Sequence, residues 1–315
     1  MQSKTVSFDE LIAESRKMRV VVENARKFAT LNAPLLIQGE TGTGKDLIAR
    51  ACHEAGTRRD KKFIAVNCAG LPSDDAESEM FGRVDKGYES IGFFEYANGG
   101  TVLLDGVAEL PLLLQAKLLR FLNDGTFRRV GEEKEHFADV RVICTSQVPL
   151  SCYVEEGKMR GDLFHRLNVL SLTIPPLRER PEDIEAFVAL FICQICEKLA
   201  ISEPHFEEDV LPFLKTYRWP GNVRELYNAL FRACSLAQGN RIRCDDLHLS
   251  AQEEMAVNIE EFGNETLDQI MSNFEAMVLR KFYEQYPSTR KLAARLGVSH
   301  TAIANKLKTY GIGKS

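Results

Sequence analysis

The feature that most constrains this chain is an octapeptide placed directly after an apolar run. Gly39, Glu40, Thr41, Gly42, Thr43, Gly44, Lys45 and Asp46 follow Pro34-Leu35-Leu36-Ile37-Gln38, and a helical pattern over residues 45–55 comes next. A buried strand that turns through glycines into a helix leaves few folds open. Glycines let backbone N–H groups curl around phosphate oxygens where a Cβ would intrude. Lys45 would reach the β- and γ-phosphates, and the helix N-terminus adds positive potential. Such sites commonly carry Ser or Thr after the lysine to help hold Mg²⁺; here the residue is Asp46. A nucleotide site, with ATP and Mg²⁺ as its occupants, is expected.

Further short apolar runs at residues 63–66, 101–105, 140–144 and 170–174 read as strands, with a helix at 111–122 that starts at Pro111 and stops before Gly125. Strands of this kind, separated by helices, indicate a parallel sheet covered on both faces. Thr101-Val-Leu-Leu-Asp105 supplies the expected second half of the site, an apolar strand ending in an acid that binds Mg²⁺ through water. In a hydrolysing enzyme a glutamate often follows that acid and polarises the attacking water. Here Gly106 follows, and hydrogen cannot act as a base. Glu109, three residues on, reads as too far along the chain to substitute.

After Pro175-Pro176 the pattern becomes helical, at residues 181–199, 207–217 and 222–238, with no strand evident. Residues 250–265 are acidic, contain Gly263 and lack apolar periodicity, which reads as a linker. The expected organisation is an α/β nucleotide-binding subdomain at 1–178, an all-α lid at 179–249, the linker, and a helical module at 266–315.

That last module differs in charge. The chain carries a net −5, yet residues 286–315 hold six Lys/Arg and no Asp or Glu, leaving −11 on the rest. A small basic module on an acidic body suggests a polyanion-binding appendage. Its sequence, STRKLAARLGVSHTAIANKLKTYG, has helix-turn-helix spacing: Leu292, Ala293 and Leu296 on one helix, Gly297 at the turn, Val298 as an interhelical plug, Ser299 as cap, and Ile303 and Leu307 on a second helix. His300, Thr301, Ala302, Asn305 and Lys306 are the candidate base-facing set, and the cap Ser299 is counted with them as DNA-binding. Asn bonds adenine bidentately, Lys and His reach guanine or phosphate, and Ala packs on a thymine methyl. Arg290, Lys291 and Arg295 are placed for phosphate contacts. The preceding helix, 266–285, shows a stripe of Leu267, Ile270, Phe274, Met277, Val278 and Phe282, which a second copy or an intramolecular core could bury.

The longest apolar run, residues 186–193, is far short of the ~20 residues that cross a bilayer. No signal region is evident at the N-terminus, so a cytoplasmic protein without a membrane partner is expected. The eight cysteines are dispersed, and Cys193 and Cys196 form a formal CxxC pair in a helical run without a partner cluster, which fits core cysteines in a reducing compartment.

Several blocks in order, GETGTGKD, FIAVNCAGL, ESEMFG, GFFEYANGGTVLLD, QAKLLRFLNDGTFRRVG, VRVICTSQ, MRGDLFHRLNVL, IPPLRERPEDI and WPGNVRELYN, resemble the AAA+ central domain of bacterial enhancer-binding regulators. The C-terminal end resembles the Fis-type module of the same regulators. An acidic residue after the loop lysine is that family's habit. The resemblance implies that Ser146 and Gln147 sense the γ-phosphate, and that Arg160 and Arg166 reach into a neighbour's nucleotide site. It implies a lid contact to nucleotide from Arg224, and a role for Asn67 as partner of the catalytic glutamate. It also implies a homodimer that forms a hexamer with ligand.

Two departures stand out. Gly106 replaces the hydrolytic glutamate, whose loss commonly costs about two to four orders of magnitude in rate, so at most a weak ATPase is expected. The segment after ESEMFG, Arg83-Val-Asp-Lys-Gly-Tyr-Glu-Ser-Ile91, lacks the GAFTGA sequence by which relatives touch the alternative sigma factor. The combination is most similar to an aromatic-amino-acid-responsive branch of the family, whose members often carry N-terminal ACT and PAS domains; here the first strand already begins at Pro34. The resemblance implies a repressor on double-stranded DNA operators of aromatic amino-acid synthesis and transport genes, with tyrosine as effector. The competing reading is an ATP-hydrolysing activator that remodels RNA polymerase.

Overall fold

The computed structural model describes residues 6–72, 75–85, 87–236, 241–249 and 266–312, and it divides into two compact units, Met1–Leu249 and Ser250–Ser315. In the first, five strands form one parallel sheet: β1 (Leu35–Gln38), β2 (Phe63–Asn67), β3 (Thr101–Asp105), β4 (Arg141–Ser146) and β5 (Leu170–Thr173). Their order across the sheet is β2-β3-β4-β1-β5, so β1, the strand that feeds the glycine loop, lies between β4 and β5. All five expected strands are present, with ends shifted by two residues or fewer.

The alternation of side chains explains why these strands are apolar throughout. Leu35 and Ile37, Leu103, and Ile143 point to one face, where they pack with helices α1 (Arg16–Ala29) and α2 (Lys45–Glu54). Leu36, Val102 and Leu104, and Val142 and Cys144 point to the other, against α3 (Leu112–Asp124) and α4 (Gly161–Leu167). A strand buried on both faces cannot show polar alternation. Burying each of these side chains contributes about 1.5–3 kcal/mol. The ends of α3 follow from its sequence: Pro111 precedes its first turn, and Gly125, at φ 74°, takes the left-handed position that closes it.

The lid consists of α5 (Glu182–Leu199), α6 (Val210–Thr216) and α7 (Asn222–Leu236) around Trp219, whose indole N–H donates to the Leu214 carbonyl at 2.8 Å. One feature was not anticipated there. His205–Phe206 pairs in parallel with Arg241–Ile242. A two-residue strand is too short to show periodicity. The expected linker at 250–265 lies outside the described residues.

The second unit holds α8 (Leu267–Gln285), α9 (Thr289–Leu296) and α10 (His300–Thr309) around Leu279, Leu292, Ala293, Ile303 and Leu307. Thr266 caps α8 through a reciprocal pair of bonds with Gln269. Gly297, at φ 67°, ends α9, and Ser299 caps α10 by accepting from the Ala302 N–H at 3.2 Å. The expected plug is corrected: Val298 is 45% exposed. It lines an apolar groove along α8 instead of filling the α9–α10 angle, and the smaller core is closed by Ile303 and Leu307.

Candidate nucleotide cleft and DNA-reading helix

A cleft of about 500 Å³ opens at the carboxyl ends of β1, β3 and β4, where ligands bind in open α/β sheets. Its lining includes Thr41, Gly42, Gly44, Lys45, Asp46, Asn67, Asp105, Ser146, Gln147 and Arg224, all anticipated from sequence. Of the loop residues, Gly39, Glu40 and Thr43 lie behind this surface and anchor it.

That anchoring is extensive. The Lys45 ammonium donates to the carbonyls of Gly39 at 2.6 Å and Glu40 at 2.9 Å. Burial pushes its pKa down, against the opposing pull of Asp105. Asn222 Nδ2 donates to the Thr41 carbonyl at 3.0 Å, the Val223 N–H to that of Gly42 at 3.0 Å, and Arg180 to that of Thr43 at 3.0 Å. Each carbonyl from Gly39 to Thr43 therefore accepts a hydrogen bond. The Glu40 carboxylate is gripped by Arg178 at 2.6 and 2.9 Å and by Asn222 at 3.1 Å. The Arg178 bond, foremost, holds its pKa below the usual carboxylate value.

Sequence reasoning missed Arg178, Arg180 and Asn222. Asn222 is fully buried at φ 51°, and Trp219, in the same turn, is also at φ 51°. Two non-glycine residues in the left-handed region are a strained arrangement, and here it aims the Asn222 amide at the loop while its Oδ1 accepts from the Leu177 N–H at 2.7 Å. Arg180 is 1% exposed and lies 3.6 Å from the equally buried Asp183, which also accepts from the Ser15 N–H and hydroxyl.

The wall opposite the loop is built differently. The Thr145 hydroxyl donates to Asp105 and accepts from the Gly106 N–H at 3.1 Å. Gly106 sits at φ 75° and starts the 3₁₀ turn Val107–Glu109. That turn folds Glu109 back into the cleft: its Cγ lies 3.5 Å from where a Cβ at position 106 would stand. Glu109 is thus not too remote to serve this site, which corrects the sequence reading. In a 3₁₀ turn, residues i and i+3 eclipse. Asp46 pairs with Arg50 at 2.8 Å along α2. Asn67 accepts from the Ala69 N–H and lines the cleft near Asp105. Asp105 is exposed and faces the loop lysine, an arrangement that fits a water-coordinated Mg²⁺.

The two candidate trans arginines stand outside the cleft. Arg160 is exposed and pairs with Asp162 at 2.8 Å; Arg166, also exposed, donates to the Leu122 carbonyl at 2.8 Å. Neither lines the cleft of its own chain.

On α10, Thr301 and Asn305 are exposed on the side away from the buried Ile303 and Leu307. His300 bonds Thr289 at 2.9 Å. Lys306 turns toward α8, where it pairs with Glu275, and Tyr310 donates to the same carboxylate at 2.7 Å. Ala302 lines the groove on that side. Lys308, not singled out from sequence, shares the exposed face with Thr301 and Asn305. Arg290 and Arg295 are exposed; Lys291 is exposed as well. On α8, Phe274, Val278 and Phe282 are half-buried and Met277 is exposed; the side chains of Leu267 and Ile270 lie outside the described residues.

A β2-β3-β4-β1-β5 sheet with a phosphate loop after β1, a helical lid that grips the loop, and a helix-turn-helix unit define the class: an AAA+ transcriptional regulator. Residues 11–173 match the sigma-54 interaction domain family, 178–261 the AAA+ ATPase lid domain and 264–313 a helix-turn-helix domain. The chain is 64% identical over 307 residues to the HTH-type transcriptional regulatory protein TyrR of Haemophilus influenzae, covering 98% of this chain and 96% of that one. It is 52% identical to TyrR of Enterobacter agglomerans over 98% of its own length but 60% of the relative's. Among solved structures, NtrX from Brucella abortus in complex with ATP superposes with a TM-score of 0.73 at 32% identity, over 96% of this chain and 69% of that one. The chain belongs to the TyrR family of sigma-54-type, DNA-binding transcriptional regulators. Among the described residues no helix is long and apolar enough to cross a membrane.

Proposed function

We propose that this chain is an ATP-binding repressor of genes for aromatic amino-acid synthesis and transport, dimeric at rest and driven to a hexamer by ATP together with tyrosine. The observation that carries the nucleotide reading is the loop itself: five successive carbonyls tied back, a half-buried lysine ammonium whose partners among the described residues are loop carbonyls, and an exposed Asp105 opposite. NtrX, which shares the fold at 32% identity, has been solved in complex with ATP and with ADP. Mg²⁺ would be held through water at Asp105. The half-exposed stripe on α8 and the groove beside Val298 support pairing with a second copy, and a dimer suits palindromic half-sites. Arg160 and Arg166, outside their own cleft, are free to approach a neighbour's in a ring. The operators are double-stranded DNA read by Thr301, Asn305 and Lys308, and the protein works in the cytoplasm with the chromosome. RNA polymerase is a partner only if the activator reading holds.

Sedimentation velocity tests this reading. The protein is run alone, with a slowly hydrolysed ATP analogue, and with that analogue plus tyrosine. A dimer that becomes a hexamer only with both ligands is the expected result. A ring formed by nucleotide alone, or no response to tyrosine, would sink the co-ligand repressor.

A further inference from the structure

Position 106 is where a water-activating carboxylate would follow Asp105, and it is glycine. Among the described residues three carboxylates line the cleft: Asp46, Asp105 and Glu109. Asp46 is paired with Arg50, and Asp105 accepts the Thr145 hydroxyl. Glu109 is exposed to the cleft and, among the described residues, accepts no hydrogen bond and forms no ion pair. The left-handed Gly106 and the 3₁₀ turn after it bring the Glu109 side chain to the space that a side chain at 106 would fill, with Cγ 3.5 Å from that Cβ position. The Glu109 N–H is bonded to the Gly106 carbonyl at 2.9 Å, so the turn is closed and the direction of the Glu109 Cα–Cβ bond is set by backbone.

We infer that Glu109 is the water-activating carboxylate of this cleft, supplied from three residues downstream in place of the missing side chain at position 106. The inference rests on the reading that ATP occupies the cleft. In the step, Glu109 takes a proton from a water molecule as the water oxygen bonds to the γ-phosphorus. The bond between that phosphorus and the β,γ-bridging oxygen breaks, and its electron pair leaves on ADP. The proton then passes from Glu109 to the released inorganic phosphate. Asp105 is left free for the metal, and Lys45 for the phosphates. The chain is then a slow hydrolase with a displaced base, and its ATP-bound state has a finite lifetime.

The test compares the full-length chain with Glu109→Gln and Glu109→Asp, each checked for a wild-type melting curve. Phosphate release under saturating ATP and Mg²⁺ is expected to fall about 100-fold or more in Glu109→Gln, with Glu109→Asp intermediate. An equilibrium readout accompanies it: removing a negative charge beside the γ-phosphate should tighten binding of a non-hydrolysable ATP analogue by roughly threefold or more while leaving ADP affinity unchanged. A merely structural role would shift both nucleotides together. Wild-type turnover in Glu109→Gln, or no phosphate release above a protein-free blank from the unaltered chain, overturns the inference and leaves ATP binding standing. Failure of the unaltered chain to bind either nucleotide overturns the nucleotide reading itself.

Discussion

The two walls of the cleft are held in different ways. On the phosphate-loop side every carbonyl from Gly39 to Thr43 is bonded, and the partners come from three places: the loop's own Lys45 and Thr43, the Leu177–Arg180 segment, and the turn that starts α7. On the β3 side, Thr145 alone ties Asp105 and Gly106 together, and the side chains of Glu109 and Gln147 project without hydrogen bonds among the described residues. Carbonyls tied outward hold the loop in one shape, so it is preorganised for an anion and loses little entropy on binding. The β3 wall, by contrast, could exchange its hydrolytic residue without disturbing a network. On the reading proposed above, the difference separates two functions that share a ligand: binding would depend on a rigid wall, turnover on a sparsely bonded one.

The largest effect should come from breaking the rigid wall at its buried root. Arg180 and Asp183 are 1% and 0% exposed. Arg180→Met would remove the donor to the Thr43 carbonyl and leave the Asp183 charge, among the described residues, with only the Ser15 bonds. Leaving one member of a buried pair costs about 3–5 kcal/mol; the retained Ser15 contacts put this case near the lower end, about 3 kcal/mol. Urea unfolding measures it. A loss below about 1 kcal/mol would show that the pair is not what stiffens the loop.

A smaller effect, confined to the ligand, is expected from Lys45→Ala. Among the described residues its ammonium bonds only loop carbonyls, so the fold should tolerate the change. Charge-assisted bonds to phosphate contribute about 1.5–3 kcal/mol, which corresponds to a loss of roughly 10- to 100-fold in ATP affinity by titration calorimetry. Operator binding by the dimer, measured without nucleotide, should be unchanged. Equal losses in both would mean that the cleft and the DNA-reading unit are coupled more tightly than the contrast between walls allows.

How much of this was legible in the sequence depends on the distance over which each residue acts. The sheet was readable because strands buried on both faces must be continuously apolar, as Leu35 to Ile37 and Val102 to Leu104 are. The loop was readable because phosphate binding demands glycines in fixed sequence positions. Arg180 was not, since LRERPED reads as an exposed charged turn, while Arg180 bonds Thr43 and its pair Asp183 bonds Ser15, both more than 130 residues away in sequence. The orientation of Lys306 depends on Glu275 from another helix, so helical periodicity alone could not choose between the DNA face and α8. The nearness of Glu109 to position 106 is not legible from separation along the chain, because the left-handed glycine and 3₁₀ turn make positions 106 and 109 neighbours.

The smallest effect sharpens the contrast at that glycine. Gly106 holds φ 75°, where a side chain is strained whatever space is available, and here its Cβ would meet only the Glu109 Cγ at an ordinary 3.5 Å. Gly106→Ala should therefore cost about 1–2 kcal/mol of stability through backbone conformation alone, with no loss of a hydrogen bond, because the N–H to Thr145 remains. Gly106→Glu should carry the same backbone cost and add a second carboxylate against Glu109, whose like charge disfavours two ionised groups in one place. Its turnover should then fail to rise above that of the unaltered chain, although the replacement restores the residue commonly found after the strand-end acid. Phosphate release and urea unfolding on the same two variants decide the point. If Gly106→Glu hydrolysed ATP much faster at unchanged stability, the β3 wall would be merely lacking its base. If it were destabilised and no faster, the wall has been rebuilt around a glycine, with Glu109 in the working position.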